Sequence, residues 1–438
     1  MSTCPAPAGR PARSRASGSG APALWTKDFV VGTITNFVLS CNYFMLTVVM
    51  TAYAMDVYGA PAALAAFCAS VFIVGTLFAR LVTPVLMAKL GRKRLLLAGT
   101  IIACAFTALY LADAPLGVLM GVRFLHGAAY GICSTTVATL VTAIVPASRK
   151  GEGIGYYMLS VTLGAAIGPF AGILTSRHVS YDALFLTAAL VLVVALLCII
   201  AIKVPRAPKS ARAAEEELAG EELSGSVEGC RETVASEHPD PPAAKGKRRT
   251  IDAVLERSAI PIALVCFLIF FGYSSLLTFL SPFAETVGLT RAASVFFIVY
   301  ALSMFMTRPF TGRAFDRRGP LFVMLPAFVS YSAGMVMLAF ASNDWMILGS
   351  ALLCGYGVGT VQSCGLAMAV KAAPDARLGV ANATFYMFLD AGVGLGPLLL
   401  GLFVPVIGYP MLYMAMAGVG LVALGVLLIV RPYYAHRP

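Results

Sequence analysis

Charge is what this 438-residue sequence most lacks: Asp, Glu, Lys and Arg together make up 12% of it, about half the share in an ordinary soluble protein. That excludes a water-soluble domain. His is scarce as well, with four in the chain, and no His-Glu-x-x-His, Cys-x-x-Cys or Gly-x-x-x-x-Gly-Lys-Ser/Thr stretch occurs. Zinc chemistry and nucleotide hydrolysis therefore have no sequence support, and no metal site is expected. The ten Cys are scattered singly through apolar runs, as small buried apolar residues would be, and do not form a disulfide framework. What the chain has instead is 59% apolar residues, 26 Phe, 41 Gly and 25 Pro, with a mean hydropathy of +0.84. Gly and Pro are tolerated in membrane helices more readily than in soluble ones. The expected solvent is a lipid bilayer.

About 20 apolar residues cross a bilayer, and the chain divides into twelve such stretches, from 29–54 to 409–430. The sequence predicts a disordered cytoplasmic tail over 1–24, a six-helix bundle over 25–203, a hydrophilic linker over 204–258, a second six-helix bundle over 259–432, and a short tail over 433–438. With both termini inside, 27 of the 32 Lys and Arg fall in inner segments, Arg177 and Arg291 fall in outer loops, and Arg80, Arg123 and Arg308 lie within spans. The positive-inside rule then predicts a multi-pass protein of the plasma (cytoplasmic) membrane with both termini cytoplasmic. The net charge of +11 is accounted for by these loops and carries no nucleic-acid reading.

The two halves are related by one offset. Shifted by 228 residues, Arg80 meets Arg308, Gly91 meets Gly319, Gly127 meets Gly355, and Gly164, Gly168 and Pro169 meet Gly392, Gly396 and Pro397. Internal duplication produces such a register. At three places the sequence resembles the major facilitator superfamily. Residues 312–319, Gly-Arg-Ala-Phe-Asp-Arg-Arg-Gly, are similar to that family's loop signature. Leu119, Arg123 and Gly127 are similar to its Leu-x-x-x-Arg-x-x-x-Gly pattern. Gly164, Gly168, Pro169 and Gly172 resemble the Gly-x-x-x-Gly-Pro mark of its drug:proton antiporter branch. The resemblance implies an all-α membrane fold of twelve transmembrane helices in two pseudo-twofold-related bundles that rock about a central site.

Ionisable groups inside spans are expensive and are functional candidates for that reason. Asp390 is the one acidic residue near a bilayer midplane. It serves either as a proton-coupling carboxylate or as a fixed partner of Arg or hydroxyl groups between the halves. Arg123 and His126 share one face of span 4. By resemblance Arg123 takes part in proton transfer or cavity electrostatics, while His126 is either a relay or a hydrogen-bonded wall residue. A cytoplasmic latch is expected from Gly312, Asp316, Arg317 and Gly319, with Arg80 and Arg308, two to three turns inside their spans, either supporting it by snorkelling to the interface or bonding carbonyls of the facing half, or contacting substrate. The first half carries Pro84 and Ala88 where the second has Gly312 and Asp316, so the latch is intact once. Glycines four apart let helices approach closely, and Gly164, Gly168, Pro169, Gly172, Gly392, Gly396 and Pro397 read either as the seam between halves or as ordinary tight packing. If the family arrangement holds, spans 1, 4, 7 and 10 line the cavity with Asn36, Asn42, Tyr43, Tyr130, Ser134, Tyr273, Ser274, Tyr356 and Gln362.

These residues point to a secondary transporter, not an enzyme, that exports small amphipathic or drug-like compounds. It would need no cofactor beyond a proton gradient and would work as a monomer on a small-molecule substrate, with no nucleic-acid partner. Uptake symport or facilitated passage on the same fold is the nearest alternative. A serine protease built on Gly272-Tyr273-Ser274 would need His126 from the other half, and a membrane sensor would have only the linker as a docking surface.

Overall fold

The computed structural model describes residues 24–112, 114–202 and 254–435, all of it helix and connecting turns. The helices are α1 (Lys27–Tyr58), α2 (Ala62–Leu90), α3 (Arg92–Ala108), α4 (Leu116–Ile144), α5 (Lys150–His178), α6 (Tyr181–Ala201), α7 (Ile260–Thr286), α8 (Thr290–Arg318), α9 (Pro320–Ala339), α10 (Asp344–Ala372) and a final run, Leu378–Ala435. Eleven helices among the described residues are long and apolar enough to cross a membrane. Their boundaries follow local chemistry. The hydroxyls of Thr26 and Ser180 and the amide of Asn343 accept the first free N–H groups of α1, α6 and α10. Gly91 and Gly319, equivalent under the repeat, both take positive φ (78° and 84°) at the α2–α3 and α8–α9 turns, where a Cβ would be strained.

Twelve separate stretches were expected and eleven helices are found. The difference lies at Gly408, whose φ of 73° and ψ of 168° break the final run without an intervening loop. We call its arms α11 (378–407) and α12 (409–435). They run in opposite directions along α7: Gly392 and Gly396 abut Phe267 and Ser274 in ascending order, whereas Tyr409, Met416 and Tyr434 meet Phe283, Gly272 and Ile262 in descending order.

The halves α1–α6 and α7–α12 share equivalent packing contacts. Gly127 packs on the backbone of Phe72 and Gly355 on that of Tyr300, while Phe315 lies against Gly151 and Met87 against Gly379. Each pair maps onto the other under the shift of 228 residues. The outer surface is apolar, with Phe170, Phe310, Leu402 and Val406 exposed, as lipid-facing side chains are. The eight Cys among the described residues form no disulfide.

Most of the expected tail and linker lie outside the described residues. Residues 254–258, expected at the end of the linker, instead pack against the second half: Glu256 N donates to Thr384 Oγ1 at 2.9 Å, its carboxylate pairs with Arg377, and the Tyr434 hydroxyl donates to the Ser258 carbonyl at 3.0 Å. The expected seam also needs correction. Gly164, Gly168 and Gly172 face Ser40, Cys41 and Met45 of α1, and Gly392 and Gly396 face α7, so these glycines bind helices within each half. The close approach between halves uses Gly151 against Gly312, Gly155 against Arg308, and Gly379 against Met87.

Candidate functional site

A cavity of about 470 Å³ lies between the halves, within the range of small-molecule sites. Every helix that borders it contributes one stripe at helical spacing, such as Ile73, Thr76 and Arg80 from α2, or Tyr386, Asp390 and Val393 from α11. Its walls are aromatic. Tyr43 stacks on Tyr130 with centroids 4.9 Å apart in the first half, and Tyr273 stacks on Tyr300 at 5.6 Å in the second. Asn36 also lines it, but its amide is engaged by Ser160 Oγ at 2.7 Å.

One ion pair crosses this cavity wall from half to half. Arg80 Nε donates to Asp390 Oδ2 at 2.7 Å, and Arg80 Nη1 donates to Thr135 Oγ1 at 2.9 Å. Ser134 Oγ lies at 3.4 Å, and the guanidinium sits 4.9 Å from the centre of the Tyr386 ring. Arg80 is 3% exposed and Asp390 20%, with the open side of the carboxylate toward the cavity. Burial makes each charge dependent on the other, since a lone ion there would be poorly solvated.

A second set of contacts closes the Lys- and Arg-rich end. Asp316 accepts from Gly151 N and Glu152 N at 2.8 Å each, and Lys371 Nζ stands 3.3 Å away. These are unsatisfied N–H groups of the first turn of α5, so carboxylate, free donors and helix dipole act together. Glu152, itself buried, binds Arg149 at 2.7 Å and Arg313 at 2.9 Å. Asn382 Nδ2 reaches Thr142 Oγ1 at 3.2 Å across the same boundary.

The sequence profile described as Major Facilitator Superfamily matches residues 32–330 and again 262–438. The chain belongs to the major facilitator superfamily. An uncharacterized MFS-type transporter, YhhS of Escherichia coli K12, is 31% identical over 196 residues, 44% of this chain and 47% of the relative, and YhhS of Salmonella typhimurium is 31% identical over 195 residues. The chain thus matches about half the length of these curated relatives. Among solved structures, the human organic anion transporter MFSD10 superposes with a TM-score of 0.67 at 15% identity, covering 91% of this chain and 98% of that one. The proton:xylose symporter XylE gives 0.69 at 13% identity, covering 91% and 94%. These likenesses carry the fold.

Within this superfamily fold, the sequence-predicted residues separate into groups. Asn36, Tyr43, Tyr130, Ser134, Tyr273 and Gln362 line the cavity, and so does Asp390. Asn42, Ser274 and Tyr356 do not: Asn42 donates to the Ala188 carbonyl of α6 at 3.0 Å, Ser274 to its own helix at Phe271, and Tyr356 lies off the lining face. The reason is rotation about the helix axis. Asn36 and Tyr43 are seven apart and share a face, whereas Asn42 is six from Asn36 and turns away. Arg80, expected at the cytoplasmic latch, stands on the cavity wall. Arg308, also assigned to that latch, is buried behind the wall and donates Nη2–H to Gln362 Oε1 at 2.9 Å. Gly312 and Asp316 meet α5 as described, Gly319 shapes the following turn, and Arg317 is exposed.

Arg123 and His126 lie inside the first half, away from the lining. The Arg123 guanidinium sits 4.7 Å from the centre of Phe72, and His126 bonds Tyr110 at 3.0 Å and Thr107 at 3.3 Å. Pro169 lines the cavity and Pro397 is half-buried. Sequence reasoning missed Glu152, Arg313, Thr135 and Tyr386. For Tyr386 the available signal was its spacing of four from Asp390.

Proposed function

We propose that the protein is a secondary active transporter that works by alternating access and exports small amphipathic compounds in exchange for protons. The observation that carries this reading is the Arg80–Asp390 pair, which ties the halves together in the wall of the cavity. Protonating Asp390 removes the charge that holds Arg80, leaving the guanidinium to Thr135, Ser134 and the Tyr386 ring. A single proton thereby loosens a bond between the two moving bodies, which is the coupling that alternating access requires.

The walls support an amphipathic cargo. Two stacked tyrosine pairs, with Phe44, Phe270 and Phe297, present aromatic area, and amide or carboxylate groups are sparse. A sugar would call for a denser polar lining. The positive-inside rule places the latched end at the cytoplasm of the plasma membrane and both termini with it, giving twelve crossings by a single chain. On this reading the latched state is sealed toward the cytoplasm. Proton-driven uptake is the second reading, in which the same ion pair would couple cargo and proton in one direction, as in the proton:xylose symporter XylE.

Everted vesicles bearing the full chain test the coupling with an amphipathic fluorescent dye. Wild type should accumulate dye when the lumen is made acid. Asp390→Asn should lose the response to the gradient while keeping dye exchange at equal pH. Accumulation that ignores the gradient, or an Asp390→Asn variant that still follows it, would sink the proposal, and dye movement driven only in the opposite direction would select uptake.

A further inference from the structure

Arg80 and Arg308 are the same residue of the repeat, and the difference between their surroundings that changes charge lies across the boundary between the halves. Arg80 contacts Ser134 of α4, and Arg308 donates to Gln362 of α10, the equivalent position. Across the boundary, Arg80 finds Asp390 on α11. The position equivalent to Asp390 is Thr162 on α5, which lines the cavity but carries no charge. Arg308 is 1% exposed, and its Nε and Nη1 have no hydrogen-bond partner among the described residues. No ion pair joins it among those residues. A buried guanidinium with two idle donors and no counter-charge is costly, and the first half shows what the missing group is: a carboxylate.

We propose that Arg308 is the anion-binding group of this cavity, and that the cargo is a monocarboxylate with an apolar or aromatic body. The guanidinium lies one side chain behind the wall, because Gln362 faces the cavity and accepts its Nη2 proton. A cargo carboxylate that displaces this amide oxygen exchanges a neutral acceptor for a charged one, which bonds roughly twice as strongly. Nε and Nη1 offer further donors, and Thr162 Oγ1 stands on the wall at the place Asp390 holds in the other half. Arg80 cannot serve in the same way while Asp390 neutralises it. The stacked Tyr273 and Tyr300 rings line the cavity on the same half, where an aromatic body can lie against them. The proposal deepens the transport reading and rests on it for the word cargo. The recognition itself is an equilibrium property, independent of proton coupling.

The test uses purified full-length protein in nanodiscs at equal pH on both faces, with three probes of one shape: 2-naphthoate, 2-naphthamide and 2-naphthylmethylammonium. Quenching of intrinsic fluorescence reads affinity. Wild type should bind the carboxylate about 10- to 100-fold tighter than the amide, as charged hydrogen bonds are worth, and the cation most weakly. Arg308→Gln should bring the carboxylate down to the amide while leaving the amide unchanged. Should that variant fail to fold, Thr162→Asp decides the matter: it supplies the absent carboxylate, and should abolish the preference for anion while raising the melting temperature. Equal binding of carboxylate and amide to wild type, no saturable binding of any probe, a preference that survives Thr162→Asp, or equal weakening of all three probes by Arg308→Gln would each overturn the proposal. Because no gradient is applied, an Asp390→Asn variant that fails the vesicle test above does not affect this result.

Discussion

Two seams join the halves, and the repeat makes them counterparts: α5 against α8, and α2 against α11. The first concentrates its polar bonds at the basic end, where Gly151 and Gly312 let the backbones touch and Asp316 spans the gap to two N–H groups. The second has Pro84 and Ala88 at those positions and seats Met87 on Gly379 instead. Its charge lies deeper, in Arg80 and Asp390 beside the cavity. Duplication thus supplied one interface twice, and divergence left a carboxylate on α8 at the rim of one copy and on α11, the opposite helix of the seam, deep in the other. A carboxylate at the rim can hold an end shut whatever occupies the cavity. One in the cavity wall feels both cargo and proton.

The largest expected effect comes from breaking the deep pair on one side. Arg80→Leu leaves Asp390 buried without a partner, which in buried pairs costs about 3–5 kcal/mol. The melting temperature in detergent should fall sharply, and Arg80→Leu combined with Asp390→Leu should recover much of the loss. A double variant no more stable than the single one would show that the pair is not what holds that seam. A smaller effect is expected at the rim. Asp316→Asn weakens charge-assisted bonds to Gly151 and Glu152 and the attraction to Lys371, about 1.5–3 kcal/mol of hydrogen bonding. It should shift the population toward the state open at the basic end about 10- to 100-fold, read by spin-label distances across that end. Unchanged distances would mean that the latch does not depend on this carboxylate.

Much of this arrangement is legible in the residues, and the exceptions have physical causes. The shift of 228 places Arg80 on Arg308 and Gly91 on Gly319, and equivalent contacts in the structure follow it because homologous helices bury homologous faces. A Gly-x-x-x-Gly stripe announces close packing without naming the neighbour, so the face of Gly164 and Gly168 met α1 and not the other half. The depth of two to three turns agrees with the structure, and the latch role drawn from it does not. Arg80 is ten residues from the end of α2, and at about 1.5 Å per residue that is half a bilayer's depth, beyond the reach of a rim latch. Cavity lining was assigned by residue type, yet rotation decides it, which is why Tyr43 faces the cavity while neighbouring Asn42 donates to Ala188. Glu152 follows the start of α5 by two residues. Its burial arises from the opposite half closing over it, which no local pattern encodes.

The smallest effect would come from making the shallow ends of the two seams alike. Ala88→Asp puts a carboxylate at the position equivalent to Asp316, opposite the first turn of α11, whose Gly379 and Val380 are the counterparts of Gly151 and Glu152. Early N–H groups of a helix have no intrahelical acceptor, and an added anion near them is worth about 0.5–1 kcal/mol. Met87 beside it already fills the space over Gly379, so the new group has to reach around a thioether, and the gain should sit at the low end. The population open at the basic end should fall by roughly two- to fivefold, measured with the same spin labels. If Ala88→Asp leaves that population untouched while Asp316→Asn raises it, the close backbone approach at Gly151 and Gly312 is what makes a carboxylate effective there. The asymmetry between the seams would then lie in the glycines before it lies in the charge.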